Sequence, residues 1–134
     1  PGNVGSILRL CLGFDASLVL IESADPASPK VIRSSAGAFF QVPWLEISRK
    51  EAEKELLVFD RPVIRLEKGR GSKKLTLTKS NISKIPSKCI IIAGSEGQGI
   101  QLDLSGTSLE IPHNPKLESL NVSHTLAILL AQLY

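Results

Sequence analysis

The chain has 134 residues, enough for one compact domain that buries its own core. Hydrophobic residues make up 43% and charged residues 22%, which excludes disorder of the chain as a whole. A net charge of +3 permits a polyanionic partner without requiring one.

Asn3 is placed to cap a first helix through Ile7, Leu8, Leu10, Cys11 and Phe14. Residues 17–21 then read as a short buried strand, and Asp25, Pro26 and Pro29 as a turn. Residues 30–35 predict a helical turn, and residues 39–42 a short strand closed by Pro43. A helix follows over 48–57, because Ser48 precedes Glu51 at capping-box spacing. Residues 63–66 read as a strand, 69–74 as a polar Gly-rich stretch, and 75–78 as an edge strand. The strongest strand is 89–93, with three consecutive isoleucines. A short strand over 109–111 ends at Pro112, and an apolar helix over 122–134 starts near Ser119 or Asn121. That helix is apolar nearly all round, so its expected place is inside the domain or a dimer interface. Alternating helices and strands predict an α/β domain with a largely parallel sheet.

Cys11 and Cys89 lie in apolar surroundings and read as buried thiols of a reducing compartment. Neither Cys nor His recurs at zinc-ligand spacing, so no metal site is expected. No secretory signal and no bilayer-length apolar run is present. The expected location is intracellular, cytoplasmic or organellar, with a mitochondrial home allowed. The first residue is Pro1 and there is no Met, so residues 1–134 are expected to be a fragment or core of a longer protein. Arg61, Arg65, Lys68, Arg70, Lys73, Lys74, Lys79, Lys84 and Lys88 face only Asp60 and Glu67 in the same stretch. This is either a solvated basic face or a surface that follows phosphates.

Three polar clusters punctuate these elements. The first is Asn3, Gly5 and Arg9; the second is Gly94, Ser95, Glu96, Gly97, Gln98 and Gly99 after the isoleucine strand. The third is Ile111 and Pro112, followed by Ser119, Leu120, Asn121, Val122 and Ser123. The second cluster is not a Walker loop, since no Lys-Ser or Lys-Thr follows Gly99. It is not a dinucleotide fingerprint either, because Leu102 stands where the third glycine belongs. Taken singly, Asn3 and Asn121 are equally well helix caps, and Arg9 a surface helix residue.

In this order and spacing the clusters resemble the three motifs of the SpoU/TrmH branch of the SPOUT methyltransferases. Asn3, Gly5, Arg9 and Phe14 match the first motif. The strand running into Gly94, Glu96, Gly97 and Gly99 matches the second. Ile111 and Pro112, then Ser119 to Ser123, match the third. The stretches around Pro29 to Arg33 and Gly37 to Phe40 are similar to the family as well. One departure is the loop after Pro112, which reads His113, Asn114, Pro115 where the family commonly carries Met and Gly.

The resemblance implies an open, mostly parallel sheet flanked by helices, with a C-terminal trefoil knot. It implies S-adenosylmethionine as cofactor, held by Gly94, Ile111 and Leu120. It implies transfer of a methyl group to a ribose 2'-OH of a structured RNA, ribosomal RNA ahead of transfer RNA, by a homodimer. Arg9, Asn3, Glu96, Ser119 and Asn121 take the catalytic positions, and no metal or membrane is involved. The other reading is a catalytically silent RNA-binding or ribosome-assembly subunit with the same fold.

Overall fold

The computed structural model describes residues 2–23, 25–68, 74–94 and 99–134. Four α-helices and six strands are defined among them. Helix α1 spans Gly2–Gly13, α2 Pro29–Ser34, α3 Arg49–Leu57 and α4 Val122–Leu133. Strand β1 spans Leu18–Ile21, β2 Trp44–Ile47, β3 Val63–Leu66, β4 Lys74–Thr76, β5 Ile90–Ala93 and β6 Thr107–Glu110.

The helix starts are set by local chemistry. Ser28 caps α2, its side chain accepting from the Val31 amide at 3.3 Å, and Pro29 occupies the first turn. Ser48 caps α3 in extended geometry but makes no side-chain bond, so the expected capping box does not form. Asn3 is not a cap, because α1 already begins at Gly2. The strand expected over 39–42 is instead a 3-10 turn, Ala38–Phe40. Gly37 enters it at φ 88, and the Ser35 hydroxyl accepts from the Phe39 amide at 3.3 Å. Left-handed backbone and local bonds of this kind coil the chain despite its β-prone side chains. The strand comes after Pro43, whose carbonyl accepts from the Leu18 amide at 3.0 Å and so opens the β1–β2 ladder.

All strand pairs are parallel. One ladder joins β1 to β2, with Leu18 opposite Trp44. The other has the order β4-β6-β3-β5. A shared core ties the two together: Ala52 and Leu56 of α3, with Leu102 and Leu104, pack against Val19, Ile21 and Ile47 on one side and Val63, Ile90 and Ile92 on the other. A second core lies under α4, where Ile64, Leu77, Ile85, Leu109 and Leu129 meet. A third, of Val4, Leu8, Cys11, Leu20, Val31, Ala38 and Val42, joins α1 and α2 to β1.

Helix α4 is expected inside the domain or a dimer interface, and the domain itself covers one face only. Ser123, Leu126 and Leu129 are buried, while Ile128 is 40% exposed. Helix α4 packs against α1, and Phe14 meets Tyr134 edge-on at 5.6 Å where their C-terminal ends adjoin. No helix among the described residues is long and apolar enough to cross a membrane.

Burial raises the Cys11 thiol from 9.0 to about 11. The unfolded thiol ionises near pH 9 while the folded one keeps its proton until about pH 11. The stability from the neutral buried thiol is therefore complete below pH 9 and lost as pH climbs toward 11. Denaturant titrations at several pH values, comparing wild type with Cys11→Ala, should show a flatter decline for the variant in that window. Parallel curves would mean that Cys11 is not held neutral.

Candidate functional site

The first motif lies on α1. Gly5 is buried at the α1–α2 contact: a Cβ there would collide with the Ser34 side chain and come within 2.9 Å of its backbone carbonyl carbon. This glycine lets two helices approach closely. Arg9, four residues on and so on the same side of the helix, is exposed. Asn3 is half-buried in the first turn.

The second motif follows β5. A Cβ on Gly94 would run into the backbone of Gly99 and Ile100. Gly99 itself has φ 71, a conformation that favours glycine. Gly94 and Gly99 thus form a neck where two chain limbs touch. A side chain at Gly94 would strike the protein's own backbone before any ligand. Glu96, with residues 95–98, lies outside the described residues.

The third motif follows β6. The Ile111 carbonyl lies 2.9 Å from His113 Nδ1. The Asn114 side chain accepts from the Lys116 amide at 2.9 Å, and its carbonyl accepts from the Leu117 amide at 3.0 Å. The unusual His113-Asn114-Pro115 loop is therefore a compact turn stabilised by its own polar atoms. Ser119 is exposed and Leu120 half-buried. Asn121 is the N-cap of α4: its Oδ1 accepts from the Ser123 amide at 2.9 Å and from the Ser123 hydroxyl at 2.6 Å. Of the two cap candidates, Asn121 takes the position and Ser119 does not.

The sheet brings the second and third motifs together. Strands β5 and β6 flank β3 in parallel, and Leu66 is level with both Ala93 and Leu109. Two strand spacings separate the ends of β5 and β6, about 10 Å. Gly94 and Ile111 thus leave the same edge of one sheet, the carboxyl edge at which open α/β sheets bind ligands. Beyond Ile111, the backbone to Asn121 belongs to no helix or strand, so its polar groups are not consumed by a ladder. A cavity of about 390 Å³ adjoins this edge, lined among others by Thr78, Lys79, Ile111, Pro112, Ile128 and Gln132. It takes in Ile111 but neither Gly94 nor Leu120.

The basic stretch divides. Arg61, Lys68, Lys74, Lys79, Lys84 and Lys88 are exposed, whereas Arg65 turns inward to Glu67 and to backbone carbonyls. Arg70 and Lys73 lie outside the described residues. Among the described residues no group of three His, Cys, Asp or Glu is placed to hold a metal ion.

Residues 1–131 match the SpoU rRNA Methylase family. The chain belongs to that family. It is 33% identical over 97% of its length to an uncharacterized tRNA/rRNA methyltransferase of Synechocystis sp., covering 47% of that protein. It is 32% identical over 96% of its length to the 23S rRNA (adenosine(1067)-2'-O)-methyltransferase of Streptomyces laurentii, covering 48% of it. Among solved structures, an RNA 2'-O ribose methyltransferase superposes with a TM-score of 0.79 at 27% identity, over 99% of this chain and 51% of that one. The chain thus spans about half the length of the curated relatives it matches.

This SpoU family member has one part-buried polar contact that the motifs did not reveal, the inward-turned Arg65. Its signal was present as an arginine inside an apolar strand with Glu67 two residues on, where side chains share a face.

Because a Cβ on Gly94 meets the Gly99–Ile100 backbone, Gly94→Ala should lower stability by about 1–3 kcal/mol, the usual cost of forcing atoms into a packed site. Thermal unfolding measures this, and an unchanged midpoint would show that the two limbs do not touch.

Proposed function

We propose that residues 1–134 are the catalytic domain of an RNA ribose 2'-O-methyltransferase that uses S-adenosylmethionine. Its substrate in this reading is a structured RNA, ribosomal RNA ahead of transfer RNA, inside the cell. The observation that carries the proposal is the emergence of Gly94 and Ile111 about 10 Å apart at one sheet edge, in a chain of the SpoU family. Gly94, Ile111 and Leu120 hold the cofactor in this reading, largely through backbone groups, for which the irregular segment after Ile111 is suited. The cofactor, when bound, supplies a methyl group already activated by its sulfonium. We also infer the family's trefoil knot here; the placement of β6 between β3 and β4 supports it.

The protein's own task is alignment and handling of the hydroxyl proton. Arg9 is exposed and able to meet RNA. A guanidinium with a pKa above 12 is a poor base, but its planar fork can hold a phosphate and polarise the neighbouring 2'-OH. Asn3 and Glu96 position it, and Ser119 and Asn121 order the third motif. The Asn121 cap bonds give that ordering a concrete form. The exposed lysines of the basic stretch follow the phosphates. A homodimer is supported by Leu12 of α1 and by Ile128 and Tyr134 at α4, apolar residues 41%, 40% and 76% exposed on two helices that touch.

The second reading, a silent RNA-binding or ribosome-assembly subunit, draws on the self-bonded His113-Asn114-Pro115 turn beside Ile111. Cofactor binding separates the two. Calorimetry should give micromolar affinity for S-adenosylmethionine or S-adenosylhomocysteine; no detectable binding favours the silent subunit.

Arg9→Ala should slow single-turnover methyl transfer by about 100-fold, the scale of losing one preorganised electrostatic donor. Cofactor affinity should stay near wild type, and Arg9→Lys should rescue little. Wild-type turnover in Arg9→Ala would remove Arg9 from the mechanism.

A further inference from the structure

Between the glycine neck and β6, residues 101–105 form neither helix nor strand. Their backbone is held instead by side chains from two elements. On one side, Arg65 of β3 donates from one nitrogen, Nη1, to the Leu102 carbonyl at 2.8 Å and to the Leu104 carbonyl at 2.6 Å. On the other, Arg49 of α3 donates to the Gln101 carbonyl at 2.7 Å, and the Glu53 carboxylate accepts from the Asp103 amide at 3.1 Å. The alternation is that of an extended chain, whose polar groups point to opposite sides at successive residues. The 102 and 104 carbonyls point to β3, and the 101 carbonyl and 103 amide point to α3.

The arginine at the centre is itself fixed. Arg65 Nε donates to Glu67 at 2.9 Å, and the same carboxylate accepts from the Ser108 hydroxyl of β6 at 2.8 Å. The Arg65 side chain is 16% exposed, so these are charge-assisted bonds in a largely dry site. The gripped segment is the outgoing limb of the loop whose neck is Gly94 against Gly99 and Ile100.

We propose that Arg65 is a positioning residue for the cofactor loop: it holds the limb after Gly99 at the height that lets Gly94 and Ile111 frame one pocket. The proposal rests on the reading of that pocket as the S-adenosylmethionine site. Arg65 touches no substrate and acts through the backbone of residues 102–104. Lysine cannot replace it, because one ammonium lacks the fork that serves a carboxylate and two carbonyls together.

The test is calorimetry with S-adenosylhomocysteine on wild type and Arg65→Lys, with thermal unfolding and methyl-transfer kinetics alongside. Arg65→Lys should weaken binding by about tenfold or more, the scale of one lost charge-assisted bond. Its KM for cofactor should rise in proportion, while the rate at saturating cofactor stays within about threefold of wild type. Val31→Ala, in the α1–α2 core, should lower the unfolding midpoint and leave cofactor affinity unchanged, which separates positioning from general stability. Should Arg65→Lys fail to fold, the double variant Arg49→Ala with Glu53→Ala loosens the same limb from its exposed side and should shift affinity the same way. Wild-type affinity in a folded Arg65→Lys, or in the double variant, overturns the proposal. Absence of binding by wild type itself overturns the cofactor reading beneath it.

Discussion

The proposed cofactor site depends on β3 being paired on both sides by parallel strands. Parallel pairing obliges each strand to end at the same edge as its neighbours. Because Leu66 is level with Ala93 on one side and Leu109 on the other, the chain leaves β5 and β6 at matching heights. The loops that follow β5 and β6 are thereby delivered to one edge. A single antiparallel pairing in this sheet would send one of them to the opposite edge.

The same arrangement explains the side-chain scaffolding around it. A parallel sheet needs long crossovers, and the crossover from β5 to β6 passes between α3 and the strands, with residues 101–106 in no strand. Buried or half-buried backbone outside a ladder still requires partners. Here Arg49, Glu53 and Arg65 provide them, while Leu102 and Leu104 fill the core between α3 and the strands. Polar and apolar halves of one short segment thus serve different neighbours.

Much of this was legible in the sequence, for identifiable reasons. The run Ile90 to Ala93 ahead of Gly94 marked a strand entering a turn, and residues 30–35 read as a helical turn where α2 forms. The α/β class, the parallel pairing and the family followed from such signals. Residues 38–42 misled because Phe39, Phe40 and Val42 have strand side chains, whereas the backbone there is decided by Gly37 and the Ser35 hydroxyl. Asn3 misled because a cap and a first-turn residue look alike when the preceding residues are few. Arg65 was grouped with surface cations because its partners, two carbonyls of residues 102 and 104, are side-chain-blind and distant in sequence.

Strand order has one further consequence, for how the molecule is made. Strand β6 comes last among the strands yet sits between β3 and β4. Until residues 107–110 arrive, β3 lacks a neighbour on one side and β4 lacks its one partner among the described strands. Such open strand edges recruit other chains, and closing long-range parallel pairs is slow. During synthesis residues 1–106 must wait, half-assembled, for a strand that has not yet left the ribosome. The same ordering makes the finished sheet hard to peel apart, since neither inner edge is exposed once the late strand is seated.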